Sequence, residues 1–128
     1  MPLKFNPLTG SLDLVEQTFN KTFGSVFIEA PYNDRPLIIT VPIKLKLDQV
    51  VGITTRAGSL DLILRVEDEG ENITSTVLDG EPINSSAVVS SPLNLNTNIG
   101  ENYTLHFIFD NVTNDCKGFR CSLKFTLQ

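Results

Sequence analysis

His106 is the only imidazole in the chain, so any acid–base or nucleophilic chemistry that needs histidine must run through it. It lies in NYTLHFIFD, Asn102 to Asp110, between Leu105 and Phe107. A Ser-His-Asp arrangement would be built on it, and serine and aspartate are plentiful. No G-x-S-x-G elbow or comparable nucleophile context accompanies it. The simpler account is a strand histidine on the face opposite Tyr103, Phe107 and Phe109. Glu67, Asp68, Glu69 and Glu71 cluster oxygen ligands of the kind Ca²⁺ prefers. They lack the D-x-D-x-D-G spacing with a distal Glu, and read as a solvated acidic turn. The 15 Asp and Glu residues offer too many chance carboxylate pairs to single one out for glycoside hydrolysis.

Cys116 and Cys121 stand in DCKGFRC. Lys117 to Arg120 can turn, so a disulfide closing a hairpin is one reading. Two reduced thiols, with Cys121 an inward strand residue, is the other. Two Cys and one His are too few for a structural metal site. The pattern Asn-x-Ser/Thr occurs at Asn20, Asn72, Asn84, Asn102 and Asn111. In a chain rich in Asn, Ser and Thr it reads as a by-product of composition rather than a set of glycan acceptors. No phosphate loop or dinucleotide fingerprint is present. The expectation is a protein without catalysis, cofactor or metal.

The elements that carry these residues are strands. Arg35 to Val66 is the longest β-coded run. Leu60, Leu62, Leu64 and Val66 alternate with Asp61, Arg65 and the following Glu67, the period-two mark of a half-buried strand. Ile43, Leu45 and Leu47 repeat it around Lys44 and Lys46. The sequence predicts strands at Ser25–Ala30, Leu37–Leu47, Gln49–Arg56, Leu60–Glu67 and Ile73–Leu78. Two more follow at Asn102–Asp110 and from Phe119 to Leu127. Pro42 inside the second marks an edge or a bend, Gly52 a candidate bulge, and Asp79-Gly80 a hairpin dipeptide. Ile83–Leu93 is polar and serine-rich, and Asn94–Gly100 reads as a loop. About eight short strands with short connections predict an all-β fold: a single antiparallel β-sandwich, jelly-roll-like or immunoglobulin-like. It is expected over residues 25–128. Residues 1–24 show no sustained period and read as an extended N-terminal arm or docking peptide.

The totals agree. A chain of 128 residues fits one domain and can bury a core without metal or disulfide support. A formal charge of −5 argues against binding nucleic acid by phosphate neutralisation. No apolar run approaches the ~20 residues of a membrane helix. Asn6, Pro7, Thr9, Gly10 and Asp13 interrupt any secretory h-region, so folding in a cytoplasm is expected.

Leu3 to Val15, LKFNPLTGSLDLV, resembles an N-terminal peptide of roughly K-F-N-P-x-T-G-x-L/F-D-L-V. That peptide is found in structural proteins of tailed bacteriophages: capsid cement or decoration proteins, head fibres, and tail or baseplate fibre components. Lys4, Phe5, Asn6, Pro7, Thr9, Gly10, Leu12, Asp13, Leu14 and Val15 match as they stand. More loosely, Thr55–Leu64 and Leu123–Leu127 are similar to the hairpin and closing strand of the small β-modules that follow it. The resemblance implies a non-enzymatic virion protein, assembled in a bacterial host cytoplasm. A compact capsid cement or decoration protein is the first expectation. A tail, baseplate or head-fibre adaptor is the second. The implied partner is the major capsid protein or another virion protein, and the family's symmetric settings imply a homotrimer. Phe5, Pro7, Leu8, Leu12, Leu14 and Val15 would be the apolar anchors of the docking arm. The alternative for these residues is an N-terminal strand that completes its own sandwich. From another class, a carbohydrate-binding module would have to use Tyr32 and Tyr103, since the chain has no Trp.

Overall fold

The computed structural model describes residues 13–18, 20–85 and 95–128, with the backbone alone for 13–18. Nine strands run through them: β1 (Asp13–Thr18), β2 (Lys21–Ile28), β3 (Leu37–Val41), β4 (Leu45–Thr54), β5 (Ser59–Glu67), β6 (Ile73–Asn84), β7 (Thr97–Ile99), β8 (Tyr103–Asp110) and β9 (Phe119–Leu127). They form two sheets, ordered β1-β2-β9-β4-β7 and β3-β8-β5-β6. Each strand pair is antiparallel. If the strands from β2 onward are counted 1 to 8, the sheets run 1-8-3-6 and 2-7-4-5. That is the order of a jelly roll. An immunoglobulin domain instead groups strands A, B, E and D against C, F and G, so the jelly-roll alternative is the one realised.

The inner faces follow the period-two pattern. Leu60, Leu62, Leu64 and Val66 of β5 are buried, as are Leu105, Phe107 and Phe109 of β8. Across the sandwich they meet Leu45, Leu47, Val50 and Ile53 of β4, and Phe119, Cys121, Leu123 and Phe125 of β9. Phe109 and Phe119 join the two sheets edge to face, centroids 5.0 Å apart at 72°, the geometry the ring quadrupoles favour.

Four local expectations change. The long strand expected over Leu37–Leu47 is two strands in different sheets. β3 ends at Val41, and Pro42–Lys44 carries the chain across to β4. Proline has no N–H for the ladder, so the chain leaves the first sheet there. The expected start at Gln49 is the interior of β4. That strand slips register between Leu47 and Gln49, and again between Val50 and Ile53, where Gly52 holds φ +83°. The Gly52 bulge was legible in the sequence.

Asp79-Gly80 is not a hairpin turn. β6 runs through it, with Ile63 opposite Asp79 and Leu62 opposite Glu81, so Gly80 (φ +81°) is the extra residue of a bulge. A left-handed glycine serves either role, and the pairing with β5 selects the bulge. The β5–β6 turn lies at the acidic stretch, as expected. There the Asp68 carboxylate accepts the amides of Gly70 (2.9 Å) and Asn72 (3.0 Å). The Asn94–Gly100 stretch also holds β7, which pairs with Leu45–Leu47.

Candidate docking surface

Of the expected arm anchors, Phe5, Pro7, Leu8 and Leu12 lie outside the described residues. Leu14 and Val15 fall on β1, the edge strand of the five-stranded sheet, paired with Gly24 and Phe23 of β2. For these two, the backbone follows the strand alternative. The expected boundary between residues 24 and 25 falls inside β2, which starts at Lys21.

β2 presents its large aromatics outward. Phe23 is 38% and Phe27 42% exposed, while Thr22 and Val26 on the same strand are buried. Their partners on β9 explain the reversal. Thr22 faces Phe125, Gly24 faces Leu123, and Val26 faces Cys121. The buried Phe125 and Leu123 fill the interior at that level, so only small residues fit beside them. Phe27 is covered on one side by the Arg120 guanidinium, 5.4 Å from the ring centroid, a cation–π contact of the order of 1 kcal/mol. Ser25, Phe27, Arg120 and Ser122 line a shallow hollow of about 290 Å³ beside them. Val51 of β4 is exposed as well, so the outer face of the five-stranded sheet carries open apolar side chains on two of its inner strands. The strand prediction started at Ser25 and missed Phe23. The alternation of Phe23, Ser25 and Phe27 was the available signal.

Asp48 ties β2, β4 and β9 together on the same outer face. It accepts a hydrogen bond from the Thr126 hydroxyl, and Lys21 Nζ lies 3.3 Å and Lys46 Nζ 3.8 Å from its carboxylate. Partial burial pushes the Asp48 carboxyl up. The hydrogen bonds from Thr126 and Lys21, with the charges of Lys21 and Lys46, outweigh it and leave the carboxyl below its usual value. A carboxyl depressed in the fold contributes stability that is full above its unfolded pKa of about 3.9 and is lost as pH falls through the folded value. Asp48→Asn is therefore expected to reduce stability at pH 7 by about 1 kcal/mol. The difference from the parent should shrink as pH falls below about 4. Urea titrations of both proteins across that range check it; a pH-independent difference would mean that packing, not charge, is at work.

The other candidates are placed as follows. His106 points away from the core and its Nδ1 contacts the Glu67 carboxylate. The two are diagonal neighbours on β8 and β5, since Glu67 pairs with Thr104 and Arg65 with His106. This is a cross-strand polar pair on the outer face of the four-stranded sheet. An open groove of about 690 Å³ beside it is lined by Ile38, Thr104, Asn102 and the acidic turn. Among the described residues, no group of three or more His, Cys, Asp or Glu is arranged to hold a metal.

Cys116 and Cys121 are both buried and unbridged, so of the two readings the thiol one holds. Burial pushes the Cys121 thiol up to about 12. Burial and the Asp115 charge raise Cys116 as well. Both stay protonated at neutral pH and are poor nucleophiles. Tyr103 is half-buried against the core, and a Cβ at Gly100 would come within 2.6 Å of its ring. Tyr32 is 55% exposed. Of the two tyrosines that a carbohydrate-binding reading would have to use, Tyr32 is the exposed one, with the Arg35 guanidinium over its ring.

Compared with protein-family models, curated proteins and solved structures, the chain gives no significant match to any of them.

Proposed function

We propose that this protein is a non-enzymatic structural component of a tailed-phage virion: a capsid cement or decoration protein that docks on the shell through its N-terminal segment. The observation that carries this reading is the dense match of Lys4–Val15 to the phage peptide. Two features support it. The peptide runs directly into β1, a sheet edge, and the neighbouring face carries Phe23 and Phe27 in the open. The fold is also one used by capsid and lectin domains, which fits the reading without selecting it. Docking across capsomer junctions would add buried area that exists only in the assembled shell. Ligand binding to one state alone stabilises that state by mass action. A homotrimer would match a three-fold junction.

The test is to mix the purified protein with expanded phage capsids that lack it, and to count bound copies by sedimentation and gel. Saturation at hundreds of copies per shell is expected. Saturation at a few copies, or on tails only, would make it a vertex, fibre or baseplate adaptor. No binding to any particle would overturn the virion reading. Deleting residues 1–12 spares β1 and β2. That variant is expected to stay folded and to lose particle binding.

A further inference from the structure

At one end of the sandwich the β2–β3 loop meets the β8–β9 loop around a hollow of about 260 Å³. This is below the roughly 300–1,000 Å³ of pockets that take drug-sized ligands. Tyr32 forms one wall, Val112 and the buried Cys116 lie among its apolar lining, and Asn33, Thr113, Asn114 and Lys117 are the exposed polar residues around it. Arg35 stacks on the Tyr32 ring, 5.4 Å from its centroid. Arg35 is not among the residues that line this hollow, whereas Tyr32 is.

The loops are held in place by backbone bonds. Val112 donates to Asn33 Oδ1 (2.9 Å), Gly118 to the Glu29 carbonyl (2.8 Å), Lys117 to that of Ala57 (2.9 Å) and Arg56 to that of Lys117 (2.7 Å). Residues on loops fixed by a scaffold bind at a lower ordering cost. The Asn33 carbonyl oxygen is spent on Val112. Its NH₂ group, the Asn114 amide and the Lys117 ammonium have no hydrogen-bond partner among the described residues, and face solvent as donors.

An aromatic wall, an apolar lining and several free donors suit a ligand with one C–H face and a ring of hydroxyls. A free anion fits less well, because Asp34 and Asp115 flank the same loops. We propose that this hollow binds one uncharged pyranose residue of a glycan, stacked on Tyr32 and hydrogen-bonded by Asn33, Asn114 and Lys117. The proposal goes beyond the virion reading and does not depend on it. Its test needs no particle.

The experiment is an amide-resolved NMR titration of the ¹⁵N-labelled full chain with the methyl glycosides of glucose, galactose, mannose and N-acetylglucosamine. Saturable shifts are expected for at least one sugar, with a millimolar Kd, in amides 30–33 and 112–117 and in the side-chain amides of Asn33 and Asn114. Tyr32→Ala is expected to weaken binding about tenfold or more, and Tyr32→Phe to retain it. Tyr32 is exposed, so both variants should keep the parent spectrum elsewhere. Three results would each overturn the proposal: no saturable shift with any of the four sugars, shifts centred elsewhere, or equal binding by Tyr32→Ala.

Discussion

Gly58→Ala is expected to cost about 3–5 kcal/mol, one of the largest effects of any single substitution in this chain. Gly58 sits between β4 and β5 with φ +73°. A left-handed backbone at an L-residue alone costs about 1–2 kcal/mol. The added Cβ would also lie 2.4 Å from Thr113 Oγ1, 2.6 Å from Cys116 Cα and 2.7 Å from Cys116 N. Those atoms cannot withdraw cheaply. Thr113 accepts the Ser59 amide at its hydroxyl and donates its own amide to the Ser59 carbonyl, both at 3.0 Å. The Cys116 amide donates to the Thr113 carbonyl, also at 3.0 Å. Relief therefore means moving the β8–β9 loop off β5 and breaking part of that set. Gly80→Ala is the control. Its φ is +81°, but nothing lies within 4 Å of the added Cβ, so only the conformational cost of about 1–2 kcal/mol is expected. Denaturant midpoints at unchanged m-value measure both. Equal losses at the two glycines would mean the loop yields and the contact is unimportant.

Phe107→Ala is expected to cost a similar 3–5 kcal/mol, by a different route. Phe107 is fully buried on β8, between Leu37 of β3 and Leu64 of β5 in the ladder. Truncation loses the transfer free energy of the ring and leaves a cavity that strands paired on both sides cannot close. For a domain whose whole stability is of the order of 5–15 kcal/mol, that is a large share. Thermal unfolding should drop by about 10–20 °C. Phe23→Ala removes the same side chain from the sheet surface, where it is 38% exposed. It is expected to cost about 1 kcal/mol or less. If the two truncations cost the same, the outward placement of Phe23 is wrong, and with it the exposed aromatic face of the proposed docking surface.

The acidic turn between β5 and β6 was legible because its signals are local: Asp68 bonds to residues two, three and four positions on. The bulge at Gly52 was legible for the same reason. The residues of the proposed docking segment were legible only in part. Leu14 and Val15 read as arm, yet their backbone pairs with β2, and that pairing depends on a hairpin the sequence does not announce. The loop-end hollow had no sequence signal beyond Tyr32 itself. Its walls come from segments about eighty positions apart, joined by bonds such as Val112 to Asn33.

The amino-acid sequence by itself determined an all-β chain, the strands β5, β8 and β9, and which of their side chains face inward. Alternation is a property of neighbouring residues, and in those strands one set is apolar and the other polar. Only the tertiary structure decided the rest. It placed β3 and β4 in different sheets, made Asp79-Gly80 a bulge, and selected the jelly-roll order. It also turned Phe23 and Phe27 outward while Thr22 and Val26 went in. On β2 both faces carry apolar residues, so periodicity does not choose between them. The space already filled by Phe125 and Leu123 of β9 does, because a close-packed interior admits residues by volume as well as by hydrophobicity.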